Sequence, residues 1–437
     1  MPRAAAAAAF GIAAKVLSSS NWLIVALTVS THLSAAMQGY FFTFLSLATI
    51  QILFDLGLGT AVVQFAAHEW ASLGAAGQPV DSRAGSRLRS VTKFAVTWYF
   101  RAGVAFFLAL QVVGYLFFGN EGRSDAWPGA WMLLSAAVAA DLMTLGIWSV
   151  LEGCNRVQNV YRYRAIKALV LGAGTWGSVL AGFGLYSLGI GYLLTVPLSL
   201  VMLRGSNWPV IKRILGFKGE DVISWKQEIL PLQWRLAASF GAGYFAQWGI
   251  TPITFKLFSP VVAGQFGMTW SVTNAMAAVA SVVVTVHAPQ FGALVASRRY
   301  RELDDLARRT TLISVGIACA GAIIGACFVY TLNAVHSPLA TRVLPTDQVV
   351  FLLAGATLAQ IVNPLAIYLR SHKREPYLWL SVGYAAALMI ATVLAGKFFG
   401  PGGIPIAYFL LIAGFFLPGG VWIFIRCRRL WHGVSDG

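Results

Sequence analysis

Apolar residues run along this chain in long blocks, at roughly 20–37, 39–66, 92–118, 127–151, 165–186 and 188–203. A polar stretch follows, with Arg204, Lys212, Arg213, Lys218, Glu220, Asp221, Lys226 and Glu228. Six more blocks come after it, at roughly 230–257, 260–287, 310–330, 347–369, 377–396 and 403–425. A helix of about 20 residues crosses the ~30 Å hydrocarbon core of a bilayer. The pattern therefore predicts an all-α polytopic membrane protein with about twelve spans. It divides into six spans over 1–203, a linker over 204–228 and six more spans over 229–437.

Composition agrees: 58% of residues are hydrophobic, 11% are charged and the mean hydropathy is +0.70. A soluble domain carries about a quarter charged residues. No stretch remains for a separate soluble core. The distribution of charge then gives orientation, because Lys and Arg favour cytoplasmic loops. With the amino terminus inside, the inside segments hold 26 of the 32 basic residues. They include Arg83, Arg87, Arg89 and Lys93, then Arg156, Arg162, Arg164 and Lys167, and later Arg298, Arg299, Arg301, Arg308 and Arg309. The outside segments hold only Arg123, Lys256, Arg342 and Lys397. Removing one helix would invert everything beyond it and destroy the bias. Both termini are expected in the cytoplasm, with the chain in a bacterial inner membrane.

The net charge of +16 is spread over seven short segments. It reads as topology and attraction to lipid headgroups, with no nucleic-acid partner. The alanine-rich start resembles a signal peptide, but Lys15 and the Ser18–Ser19–Ser20 cluster interrupt it, so an uncleaved lead-in to the first helix is expected. Cys154, Cys319, Cys327 and Cys427 lack metal or redox spacing, and His32, His287 and His336 are isolated, so no metal site is expected. The loops show no nucleophile cluster and no GxxxxGK[ST] phosphate loop, so neither an enzyme nor an ATPase is expected.

What remains is transport, and the polar residues within the spans are the candidates. An ionisable side chain at mid-membrane costs about 2.5–3.5 kcal/mol on insertion scales, so it usually faces a cavity or a partner. Arg101, Arg235, Asp55 and Asp141 stand out. Gln51 and Asp55 share one face, as do Asp141, Leu145, Trp148 and Glu152. In the seventh span Gly243, Gln247, Thr251 and Thr254 line one side, and Pro252 frees backbone carbonyls. Each has a plainer reading. Arg101 and Arg235 can snorkel to headgroups. Asp55 can hold a helix contact beside Gly57 and Gly59. Glu152 and Arg156 read as an i, i+4 ion pair.

Several segments resemble one family. Gln38–Phe44 leads into Gln51-Ile52-Leu53-Phe54-Asp55-Leu56-Gly57-Leu58-Gly59, and then Val63–Glu69. Leu151–Asn155 with Tyr161–Arg164, and Gly400–Tyr408, add to the likeness. Together they resemble the O-antigen flippase type of the multidrug/oligosaccharidyl-lipid/polysaccharide exporter superfamily. The resemblance implies two six-helix bundles with pseudo-twofold symmetry. Gly39-Tyr40-Phe41 and Gly264-Gln265-Phe266 are internal echoes that fit it.

It also implies a function: moving a polyprenyl-pyrophosphate-linked oligosaccharide between leaflets by alternating access, without a cofactor. Arg101 and Arg235 are then expected to meet pyrophosphate. Gln51, Gln247, Thr251, Gln265 and Asn274 are expected to meet sugar hydroxyls, with Asp141 or Asp55 coupling the cycle to H⁺ or Na⁺. The linker would act as a flexible tether. A glycan polymerase or glycosyltransferases would be partners, and membrane lipids the surroundings. Two alternatives stand beside this: a cation-coupled multidrug exporter, whose one acidic candidate in the second bundle is Asp347, and a non-transporting scaffold for glycan assembly.

Overall fold

A computed structural model describes residues 21–55, 57–73, 83–119, 127–218, 225, 230–372 and 374–432, and among these the regular structure is entirely helical. The first helix, α1, covers 21–32. The second apolar block is three helices in line: α2 (Ala35–Ala48), α3 (Gln51–Asp55) and α4 (Leu58–Ser72). Next come α5 (Arg83–Phe118), α6 (Trp127–Gly153), α7 (Val157–Leu180), α8 (Tyr186–Arg204) and the short α9 (Trp208–Gly216). The second half holds α10 (Leu230–Trp248), α11 (Ile250–Leu257), α12 (Pro260–Ala296), α13 (Tyr300–Ala334), α14 (Thr346–Ser371) and α15 (Leu378–Phe399). It ends with α16 (Gly403–Leu411), a π-turn at Ile412–Phe416 and α17 (Leu417–His432).

Every apolar block is therefore helical. Nine spans among the described residues are long and apolar enough to cross a bilayer by themselves. Two of the other blocks have physical reasons to fall short. α7 opens with a charged half, carrying Arg162, Arg164 and Lys167. The seventh block is interrupted at Gly249, three residues before Pro252. A proline lacks the N–H that would bond four residues back, so α10 stops and α11 starts afresh. Trp270 Nε1 donates to the Gln247 carbonyl at 2.6 Å and satisfies one oxygen at the break.

The described residues divide into two compact units. The first holds Asn21 and those between Phe44 and Tyr244; the second holds Trp22–Thr43 and those from Phe245 onward. This differs from the division expected at 203/229 in two places. Residues 22–43 join the second unit because α2 crosses α12 at glycines. A Cβ on Gly39 would lie 1.7 Å from the Pro260 carbonyl oxygen, and one on Gly264 would lie 3.0 Å from the Gly39 nitrogen. Gln38, 1% exposed, donates to the carbonyls of Gly264 at 3.0 Å and Arg342 at 2.9 Å. The two internal echoes of the sequence thus touch each other. At the other boundary the first unit extends to Tyr244, whose hydroxyl donates to the Ser46 carbonyl at 3.1 Å.

The tether is also corrected for its first half. Residues 208–216 form α9, which buries Val210, Ile211 and Ile214 on one face. Arg213 lies over the Trp70 ring at 5.7 Å, and Asn159 donates to Asn207 Oδ1 at 2.9 Å. Packing of an amphipathic face turns that stretch into part of the first unit.

Candidate functional site

The interior of the first unit contains an ion pair. Asp141, 5% exposed, sits near the middle of α6. Lys167 Nζ on α7 donates to its carboxylate at 2.6 Å, and Thr195 Oγ1 on α8 lies 3.3 Å from the other side. The lysine side chain keeps 25% of its surface. Three helices thus converge on one carboxylate. Separating these charges in a low-dielectric interior is costly, so pairing is what permits them there.

The α6 face expected from spacing is the face that α7 and α8 cover. Trp148, two turns from Asp141, stacks on Tyr163 of α7 with centroids 3.9 Å apart and planes 4° from parallel. Its indole N–H donates to Ser199 Oγ of α8 at 2.8 Å. Thr195 and Ser199 are i, i+4, so α8 presents two hydroxyls in register. Glu152 pairs with Arg164 at 2.6 Å, and not with Arg156 as the i, i+4 spacing suggested. Arg156 precedes α7 and Asn155 adopts φ 60, so the chain turns there and the helical spacing does not extend that far. Lys167, counted above with the inside loops, lies ten residues into α7. Its charge belongs to the interior.

Asp55 occupies the end of α3. It accepts from the Tyr99 hydroxyl of α5 and from the Gly59 backbone N–H at 3.1 Å. Gly57 between the helices takes φ 68, a left-handed conformation that glycine adopts without steric cost. A Cβ on Gly59 would stand 3.1 Å from Tyr99 Oη and 3.3 Å from Ser149 Oγ. Both bonds fall on Oδ1, and through it the carboxylate seals a helix break and joins neighbouring helices.

In the second unit, Gln247 and Asn274 come together: Gln247 Nε2 donates to Asn274 Oδ1 at 2.5 Å. Thr251, 5% exposed, begins the next helix one turn on. Gln265 is engaged elsewhere, donating to the Thr341 carbonyl at 3.0 Å in the 3₁₀ turn Pro338–Arg342. Gln51 is half-buried in the first unit. Arg101 is exposed on α5, opposite buried Tyr99, on the stripe that also exposes Val104, Leu108 and Val112. It makes no ion pair among the described residues. The Arg235 side chain lies outside the described residues.

The residues that spacing missed are Lys167, Thr195 and Tyr99. Lys167 was hidden by lying near a basic loop; an i, i+4 pair of Tyr163 and Lys167 was the available signal. Cys154, just past α6, is buried, and burial pushes its thiol up to about 12 against the opposing effect of Arg156. It is a packing residue and no nucleophile. No three-residue group of His, Cys, Asp or Glu among the described residues could hold a metal ion.

No family model matches this chain, and no curated protein matches it. Solved structures do. An inward-facing multidrug resistance MATE family transporter of the MOP superfamily aligns over 95% of this chain and 100% of its own, at 13% identity and a TM-score of 0.64. An outward-facing MATE family transporter aligns over 97% and 96%, at 15% identity and 0.58. A Vibrio cholerae MATE transporter aligns over 97% and 98%, at 12% identity and 0.55. At such identities the likeness is one of fold. Together with the helices described above, it makes this chain an all-α, multi-pass membrane protein with the two-bundle fold of those transporters.

Proposed function

We propose that the protein is a membrane transporter working by alternating access. Its cargo is a polyprenyl-pyrophosphate-linked oligosaccharide, carried from the cytoplasmic to the periplasmic leaflet of a bacterial inner membrane. The observation that carries this reading is the state of the interior carboxylates. Asp55 and Asp141 lie within described spans; Asp141 is engaged by Lys167 and Thr195, and Asp55 by Tyr99 and Gly59 through Oδ1. The described acids of the second unit, including Asp347, sit at or near helix ends. Neither carboxylate within the spans stands without a protein partner, whereas an anionic or sugar-bearing cargo needs no carboxylate.

The sequence likeness to O-antigen flippases supports the same cargo. Arg101 and Arg235 serve the pyrophosphate in this reading, and Gln51, Gln247, Thr251, Gln265 and Asn274 serve the sugar hydroxyls. Coupling falls to Asp141: a proton taken there releases Lys167, whose side chain is partly exposed and free to turn outward. Asp55 keeps a structural part. A glycan polymerase or glycosyltransferases would supply or consume the cargo.

The fold neighbours support a second reading, since some are multidrug resistance transporters. Proteoliposomes separate the two. The protein is reconstituted with a labelled lipid-linked oligosaccharide and, in parallel, with a cationic dye under an imposed pH gradient. Accelerated exposure of the labelled sugar on the far leaflet, without dye movement, is expected. Dye movement without sugar exposure transfers the assignment to drug export, and neither activity leaves a scaffold.

A further inference from the structure

On the basic side of the second unit, a cleft of about 450 Å³ opens between α13 and α17, floored by Leu365 of α14. It is a separate feature from the interior pair, since no carboxylate of the first unit lines it. Both walls change character at the same depth. α13 goes from Leu312, 63% exposed, to Arg308 one turn lower; α17 goes from Phe424 to Arg428 one turn on. α13 is 35 residues long, or about 52 Å, so its charged first turns extend beyond a ~30 Å hydrocarbon core. The cleft therefore straddles the boundary between acyl chains and headgroups, with an apolar half in the one and a charged half in the other.

The charges of this cleft sort into used and unused. Asp304 accepts from Arg428 Nε at 3.0 Å and Nη2 at 2.5 Å, and from the Tyr368 hydroxyl at 2.7 Å. That carboxylate and that guanidinium serve each other and tie α13, α14 and α17 together. Asp305 and Arg308 remain. Neither has an ion-pair partner among the described residues, and both are exposed. They are i, i+3 on one helix, which sets their Cβ atoms about 5–6 Å apart. One unpaired acid and one unpaired base thus stand side by side at headgroup level, above an apolar slot.

We propose that this cleft is a site for a phospholipid whose headgroup is the phosphate ester of an amino alcohol with a free primary ammonium, of the phosphatidylethanolamine class. The phosphate oxygens accept from Arg308, a guanidinium being suited to them in shape and charge. The ammonium donates N–H bonds to Asp305. The acyl chains descend past Leu312 and Phe424 into the bilayer. A glycerol headgroup presents the same phosphate but an uncharged diol, leaving the charge of Asp305 unmatched, while a choline headgroup brings a quaternary nitrogen that has no N–H to donate. The general basic character of this side draws anionic lipid; the cleft selects differently because its residual charge is balanced.

The test uses the full-length protein in nanodiscs made with equal phosphatidylethanolamine, phosphatidylcholine and phosphatidylglycerol, with the retained lipids identified by native mass spectrometry after release. Wild type is expected to retain the ethanolamine lipid over the choline lipid by about fivefold, the equivalent of about 1 kcal/mol for one charge contact near the surface. Asp305→Ala brings that ratio close to one while phosphate-dependent retention persists. Arg308→Gln lowers retention of ethanolamine and choline lipids alike. Both side chains are exposed, and Tm is measured beside each variant to exclude misfolding. Preferred retention of phosphatidylglycerol by wild type overturns the proposal, as does an ethanolamine-to-choline ratio that Asp305→Ala leaves unchanged.

Discussion

The two units treat charge in opposite ways. In the first, a carboxylate and an ammonium are held within the bundle, where Asp141 of α6, Lys167 of α7 and Thr195 of α8 meet. In the second, a polar contact between spans is an uncharged and more exposed amide pair, Gln247 and Asn274. Ion pairs among the described residues of that unit, Asp304 with Arg428, Arg299 with Glu302 and Arg370 with Glu375, lie at or near helix ends. An ion pair in a low-dielectric interior is poorly compensated and responds to a single proton, whereas one at headgroup level is screened and responds little. In the transport reading proposed above, the first unit would be the one to respond to a proton, and the second would hold its charges at the lipid headgroups.

The comparison breaks most readily at Lys167. Lys167→Met leaves Asp141 buried without its partner, and a loss of about 3–5 kcal/mol is expected from unfolding in detergent. Adding Asp141→Asn removes the stranded charge and is expected to recover most of that loss. A single variant as stable as wild type would mean that the pair is not desolvated, and the contrast between units would fall.

Next in size is the helix crossing of the second unit. Gly39→Ala drives a methyl group into the Pro260 carbonyl, 1.7 Å from the Cβ, and is expected to cost on the order of 3 kcal/mol as overpacking. Gly177 of α7 has nothing within 4 Å, so Gly177→Ala is expected to stabilise by about 0.4–1 kcal/mol. Measuring both by Tm sharpens the contrast, because one glycine is needed for close approach and the other is not. Equal shifts would show that the approach of α2 to α12 is not tight.

The smallest effect belongs to the amide pair. Gln247→Leu removes one side-chain hydrogen bond, and such bonds within membrane bundles average about 0.6 kcal/mol. A change of several kcal/mol in the unfolding free energy would mean that Gln247 does more than pair with Asn274, and would place the second unit nearer the first in character.

Much of this was readable along the chain because a bilayer imposes simple rules. Unpaired backbone groups are intolerable in hydrocarbon, so long apolar blocks become helices, and all twelve blocks did. The stripe Asp141, Leu145, Trp148 and Glu152 was readable from helical period alone. Its partners were not, because Lys167, Tyr163, Thr195 and Ser199 come from two later helices whose rotation only packing sets. Arg164 in place of Arg156 at Glu152 has the same origin: a turn at Asn155 ends the helical spacing, and the next helix returns a different arginine. Asp55 illustrates the reverse. Gly57 and Gly59 beside it signalled a close contact, while the identity of Tyr99 as the donor needed the third dimension.

The sequence by itself determined that this chain crosses a membrane many times and which stretches do so. Hydrophobic length and the exclusion of charge act locally, residue by residue, and leave little choice. Tertiary structure alone decided that residues 22–43 pack with the second unit, that α9 docks on the first, and that Lys167 reaches Asp141. Those outcomes depend on which helix faces meet, a balance of close glycine contacts, stacked rings and paired charges summed across distant parts of the chain.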